Sequence, residues 1–146
     1  MADEDECMDA PTISPSIVLL SLARRIEIEL AEALADLGLT VSRFGLLGHI
    51  TGVPGVSFSD LARMSGITVQ SVHAAVKSLA AAGLVRDNTA RAGAASAIEL
   101  TEEGRRIMDA AMRSVSKVDE RLFGTDADPS QQQIGATVHA TFGAGR

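Results

Sequence analysis

Residues Gln70, His73, Ala74 and Lys77 recur at helical spacing within the segment Thr68 to Gly83, so they share one stripe. The row is polar, basic at one end and free of carboxylates. An amide, an imidazole and an ammonium on one helix face suit the floor of a DNA major groove, where they meet base edges and phosphates. Gln70 has the reach for a bidentate contact to adenine, and Lys77 suits a phosphate. Thr68 and Ser71 add hydroxyls near the positively polarised start of the helix. The alternative is an ordinary solvated face. Val69, Val72, Val76 and Leu79 recur on the opposite stripe, which predicts burial of all four.

Two helices in tandem must position such a row. Ser57 and Asp60 fit a capping box for a short helix through Ser65, and Gly66 suits the left-handed residue that closes it. Ile67 is expected to pack inward, and Thr68 to cap the next helix. Gly83 ends that helix. Leu84-Val85-Arg86 then reads as a strand, residues 87–96 as a small-residue loop and residues 97–100 as a returning strand. The pair makes a hairpin beside the two helices. Arg86 and Arg91 on this hairpin, and Arg63 on the short helix, are candidate phosphate or groove contacts.

Flanking segments supply longer helices. Residues 1–12 carry five acids and then Pro11, and read as a disordered acidic tail. Ser14 or Ser16 can cap a first helix with Pro15 near its first turn. Leu19, Leu22, Ile26, Leu30, Leu34 and Leu37 carry that helix to Gly38. A second helix is expected over 42–51 with Phe44, Leu47 and Ile50 inward. A fifth starts at Thr101, and a sixth, about 130–141, ends at Gly143. Met108, Ala111, Val115, Val118 and Leu122 repeat in a heptad-like stripe on the fifth helix. A stripe so narrow on so long a helix predicts a dimer seam, with internal core as the alternative.

Composition limits the possibilities. The 146 residues suit one domain, and an alanine-rich chain with four Phe and no Trp or Tyr favours helix over a large sheet. The formal charge is −6, against indiscriminate nucleic-acid binding. Residues 61–100 nevertheless carry four bases against two acids and form the only net-positive stretch. Cys7 is the single cysteine, so no internal disulfide can form, which fits a reducing cytoplasm. Its acidic neighbours Asp5, Glu6 and Asp9 raise the thiol pKa and disfavour redox sensing. There is no membrane-spanning apolar run and no basic secretory leader. His49, His73 and His139 lack metal-ligand spacing. Ser114-Val-Ser-Lys117 matches a hydrolase nucleophile pattern by chance, mid-helix and without companion motifs. No phosphate loop, dinucleotide fingerprint or other cofactor motif is present, and no catalytic constellation.

Four motifs in order, Phe58-Ser-Asp-Leu-Ala62, Gly66-Ile-Thr-Val-Gln-Ser71, Leu79 with Ala82-Gly-Leu-Val-Arg86, and Leu100-Thr-Glu-Glu-Gly104, resemble the MarR family of winged helix-turn-helix regulators. The resemblance implies a mostly α fold, with residues 42–100 as the winged helix-turn-helix and residues 13–38 and 101–146 as dimerisation helices. It implies a homodimer that places each fourth helix in a major groove and each wing beside or in the minor groove. A two-fold dimer would read a pseudo-palindromic operator whose half-sites lie about 34–36 Å apart. It further implies a repressor released from DNA by a small, often aromatic or phenolic effector bound between the dimer and DNA-binding regions. Phe44 and His49 could border that pocket, with ordinary packing as the alternative. One departure stands out: many relatives carry a basic wing tip, and here Arg91 is its only base. A rival reading follows, in which the winged-helix dimer serves as a protein-interaction module without DNA.

Overall fold

The computed structural model describes residues 13–88 and 98–143. Its elements run α1 (Pro15–Ala35), α2 (Val41–Gly52), α3 (Phe58–Ser65), α4 (Val69–Ala81), β1 (Val85–Asp87), β2 (Ile98–Leu100), α5 (Glu102–Phe123) and α6 (Pro129–Phe142). Cys7, the acidic tail 1–12 and Arg91 at the wing tip lie outside the described residues. No described helix is long and apolar enough to cross a membrane.

Local chemistry sets the helix ends. Ser14 caps α1, and Thr40 caps α2 by accepting from the Arg43 N–H at 3.1 Å. Helix α1 stops at Ala35, earlier than its leucine spacing suggests. Gly38 stands beyond the helix at φ 68°, and the Leu39 N–H returns to the Leu34 carbonyl. At α3, Ser57 Oγ accepts from the Asp60 N–H at 3.0 Å, the forward half of the capping box. Gly66 closes α3 at φ 66°, a conformation that disfavours any side chain.

The core is built where these helices converge. Leu34 of α1, Leu47 of α2, Leu61 of α3 and Leu79 of α4 are fully buried, with Ile98 of β2 beneath them. Burying each such side chain is worth about 1.5–3 kcal/mol. Strands β1 and β2 pair antiparallel, with Val85 opposite Leu100 and Arg86 opposite Glu99. Thr101 joins this hairpin to α5. Its hydroxyl donates to the Gly83 carbonyl at 2.6 Å and accepts from the Gly104 N–H at 3.0 Å.

Two burial expectations are corrected. Val69 is 41% exposed and Ile67 is 43% exposed. Both flank the first turn of α4, at the open end of the stripe, whereas Val72, Val76 and Leu79 further along are buried. Leu19 is likewise exposed, because the first turns of α1 extend past the rest of the chain's packing surface.

Within one chain the stripe on α5 is largely taken up by internal packing. Ala111, Val118 and Leu122 are already buried within one chain, and Met108 and Val115 pack against the same core. Helix α1 packs along α5, and α2 and α6 pack against α5 as well. Arg121 of α5 fastens the pair by donating to Glu29 of α1 at 2.8–2.9 Å, and Arg25 reaches Glu29 from the other side. Apolar residues left uncovered lie elsewhere, at Ile13, Ile17, Val18, Leu19 and Leu20 near the start of α1 and at Val138 and Phe142 on α6.

Candidate nucleic-acid interface

Helix α4 presents Gln70, His73, Ala74 and Lys77 to solvent along one side and sinks Val72, Val76 and Leu79 into the core on the other. The buried side fixes the exposed side in orientation, since rotating the helix would expose three large apolar side chains. Among the described residues, neither Gln70 nor Lys77 makes a hydrogen bond or an ion pair, so both are free for an external partner. His73 is held differently. Its ring stacks on Phe58, centroids 3.9 Å apart and planes 14° from parallel. Phe58 opens α3, so the short helix sets the plane of an imidazole on the next one.

The hydroxyls at the start of α4 are partly occupied. Thr68 Oγ1 accepts from the Ser71 N–H at 3.1 Å and lies 2.9 Å from Ser71 Oγ. Thr68 is therefore first a cap, and what Ser71 offers outward depends on how the shared hydrogen is placed.

The candidate arginines divide by their partners. Arg63 pairs with Asp60 on its own helix at 3.1 Å. The Asp60 carboxyl is held below the usual carboxylate range by the Ser57 hydroxyl and then by Arg63, so the pair stays charged and internally balanced. Arg86 faces Glu99 across the hairpin at 3.8 Å, both well exposed. Such surface pairs are weak, and either guanidinium can turn to a phosphate at little cost.

A cleft of about 280 Å3 opens behind this face, between α2, α3 and α4. His49 lines it. Phe44 does not, and instead packs against the hydrophobic core. Phe44 is partly buried there, in keeping with its expected inward position on α2.

Comparison with known proteins places this geometry. Residues 37–94 match the MarR family. The chain is 31% identical over 107 residues to the HTH-type transcriptional repressor Rv2887 of Mycobacterium tuberculosis, across 73% of this chain and 77% of that protein. The chain belongs to the MarR family. This MarR-family protein is also similar in fold to solved structures of Rv2887. In complex with DNA, Rv2887 superposes with a TM-score of 0.73 at 24% identity, over 90% of this chain and 99% of that one. In complex with salicylic acid it does so with a TM-score of 0.70 at 25% identity, over 90% and 98%.

The family match spans α2 to β1, and within that span this MarR-family protein holds two residues that sequence reasoning passed over. Phe58 stands in the sequence only as part of a motif, and no local signal gives its stacking on His73. Arg43 of α2 reaches across to α4, where its Nη2 donates to Ser78 Oγ at 2.6 Å. The two residues are 35 apart in the chain, beyond any local periodicity.

Proposed function

We infer that this chain is a sequence-specific DNA-binding transcriptional regulator, a homodimeric repressor relieved by a small ligand. The exposed Gln70, His73 and Lys77 row on a helix anchored by buried valines carries the reading. The relative Rv2887 is a repressor solved with DNA and with salicylic acid, which supports it. Gln70 reads a base edge, Lys77 neutralises a phosphate, and His73 reaches the groove with its ring plane preset by Phe58. Arg63, Arg86 and Arg91 supplement the phosphate contacts. The chain acts in the cytoplasm, by occupying a promoter, and performs no catalysis.

Dimerisation is assigned to the uncovered apolar ends of α1 and α6 rather than to the covered stripe of α5. A second copy laid against Ile17, Leu20 and Phe142 would remove that surface from water.

Fluorescence anisotropy against the protein's own promoter region, across salt concentrations and beside an unrelated duplex, tests the reading. Selective binding that weakens with salt, and that is lost in Gln70→Ala and Lys77→Glu, is the expected outcome. A folded dimer that selects no sequence even from a random duplex library would favour the protein-interaction module instead.

A further inference from the structure

Helix α4 carries four large apolar side chains, and three of them, Val72, Val76 and Leu79, are buried. The fourth, Val69, is 41% exposed at the first position of the helix. It stands at the edge of the apolar stripe, one turn before His73 and next to Gln70. In a helix-turn-helix the N-terminal residues of the second helix are the ones that reach base edges. Val69 is therefore an apolar group in the place from which bases are read.

The rest of that first turn offers little. Thr68 Oγ1 accepts from the Ser71 N–H at 3.1 Å, and the two hydroxyls lie 2.9 Å apart, so they are engaged with each other. The exposed Gln70 amide and the Val69 isopropyl group remain for an outside partner. In the major groove of B-DNA the apolar group on a base edge is the thymine C5-methyl. A β-branched side chain on a helix keeps one strongly preferred χ1 rotamer, so fixing Val69 against a methyl costs little entropy.

We propose that Val69 reads the C5-methyl of a thymine beside the adenine that Gln70 reads. The proposal rests on the regulator reading above and adds a specificity-determining residue to it. Consecutive residues on a helix stand about 100° apart with a rise of about 1.5 Å, so Val69 and Gln70 reach neighbouring but distinct points of the groove floor. Gln70 selects by hydrogen bonds and Val69 by apolar contact. Cytosine at the thymine position presents an amino donor and no methyl, and the isopropyl group would strip water from that donor without replacing it. Each half-site thus needs two adjoining A·T pairs, and a two-fold dimer repeats the requirement. A 5-methylcytosine carries the same methyl in the same groove, so the test separates the two bases.

The test uses the duplex that the full-length protein selects from a random library. Each thymine of a half-site is replaced in turn by deoxyuridine, which removes the methyl and leaves the hydrogen-bonding edge unchanged. Affinity is read by anisotropy. At one thymine per half-site the replacement should weaken wild type about fourfold, the loss of one buried methyl. Val69→Ala should bind the unmodified duplex more weakly by at least that factor and be indifferent to deoxyuridine at that position. Val69→Ile, which keeps a branched apolar side chain, should retain the sensitivity. Because Val69 is exposed, Val69→Ala should melt with wild type. A residue that only supported the fold would not couple to a single methyl on DNA. Methylating the cytosines of the selected site should leave wild-type affinity unchanged. A gain there that Val69→Ala abolishes, with no deoxyuridine penalty, overturns thymine as the base read. Tolerance of deoxyuridine at every thymine, or a penalty that Val69→Ala keeps in full, overturns the proposal while selective binding leaves the regulator reading standing. A library that yields no selected duplex overturns the regulator reading and this one with it.

Discussion

Phe58 and His73 stack face to face across the junction of α3 and α4, with ring centroids 3.9 Å apart. The contact links the residue that opens the supporting helix to a side chain on the exposed face of the next. An aromatic pair of this kind is worth about 0.5–1.5 kcal/mol beyond its buried area. In Phe58→Leu the apolar volume is largely kept while the ring is lost, so DNA affinity should fall about two- to tenfold, the same energy read as binding. A double-mutant cycle with His73→Ala, read by anisotropy, separates this from general destabilisation. If the two losses simply add, the stack does not position His73 for DNA.

Oligomeric state should respond to the ends of α1 and α6. Phe142 is 79% exposed and Leu20 is 50% exposed in one chain. Leu20→Glu or Phe142→Glu places a charge where a second copy is expected, and a desolvated unpaired carboxylate is strongly unfavourable. Sedimentation equilibrium should show monomers at concentrations where wild type is dimeric, with DNA affinity reduced in parallel. Val118→Ala on α5 should instead lower thermal stability, because its side chain packs inside the chain.

Gly104 marks the closest approach of α5 to the wing. A Cβ there would lie 2.0 Å from the Leu84 carbonyl oxygen, a backbone atom that cannot swing aside. The same carbonyl accepts from the Thr101 N–H at 3.0 Å. Gly104→Ala must separate α5 from the hairpin, and a loss of at least about 1–3 kcal/mol is expected, as in other overpacked sites. Denaturant unfolding measures it directly. A wild-type midpoint for this variant would mean that α5 does not seat on Leu84 in solution.

Acid should loosen α1 from α5. The Glu29 carboxyl is held below its ordinary value near 4.5, chiefly by its hydrogen bond to Arg121, with burial opposing and Arg25 adding. A carboxyl whose pKa is lower when folded contributes stability above its unfolded pKa. That contribution is present in full at neutral pH and is lost as pH falls from about 4.5 through the folded value. Glu29→Gln should therefore be less stable than wild type at pH 7, and the gap should close as pH falls below about 4.5. Melting temperatures of both proteins across that range check the sign. A gap that stays constant with pH would assign Glu29 a packing role only.

The helix boundaries around the interface were largely legible in the sequence because caps are local. Ser57 bonds the Asp60 N–H, Thr68 bonds the Ser71 N–H and Thr101 bonds the Gly104 N–H, each three residues away. Gly66 is fixed by its own φ. The α4 stripe of Val72, Val76 and Leu79 was legible too, since a 3.6-residue repeat already separates the two sides of a helix.

Tertiary structure decided what covers each face. The periodicity of α5 marks a stripe that must be buried, but it carries no information on what buries it; Ala111, Val118 and Leu122 are buried within the one chain, where α1, α2 and α6 pack on α5. Val69 and Ile67 have apolar side chains and lie exposed, because packing surface ends before the first turn of α4. Arg43 meets Ser78 and Phe58 meets His73 only once three helices have converged. Sequence alone thus determined where the chain turns and which sides of its helices are apolar, through contacts a few residues long. The partners across those sides depend on contacts between distant residues, which exist only in the folded chain.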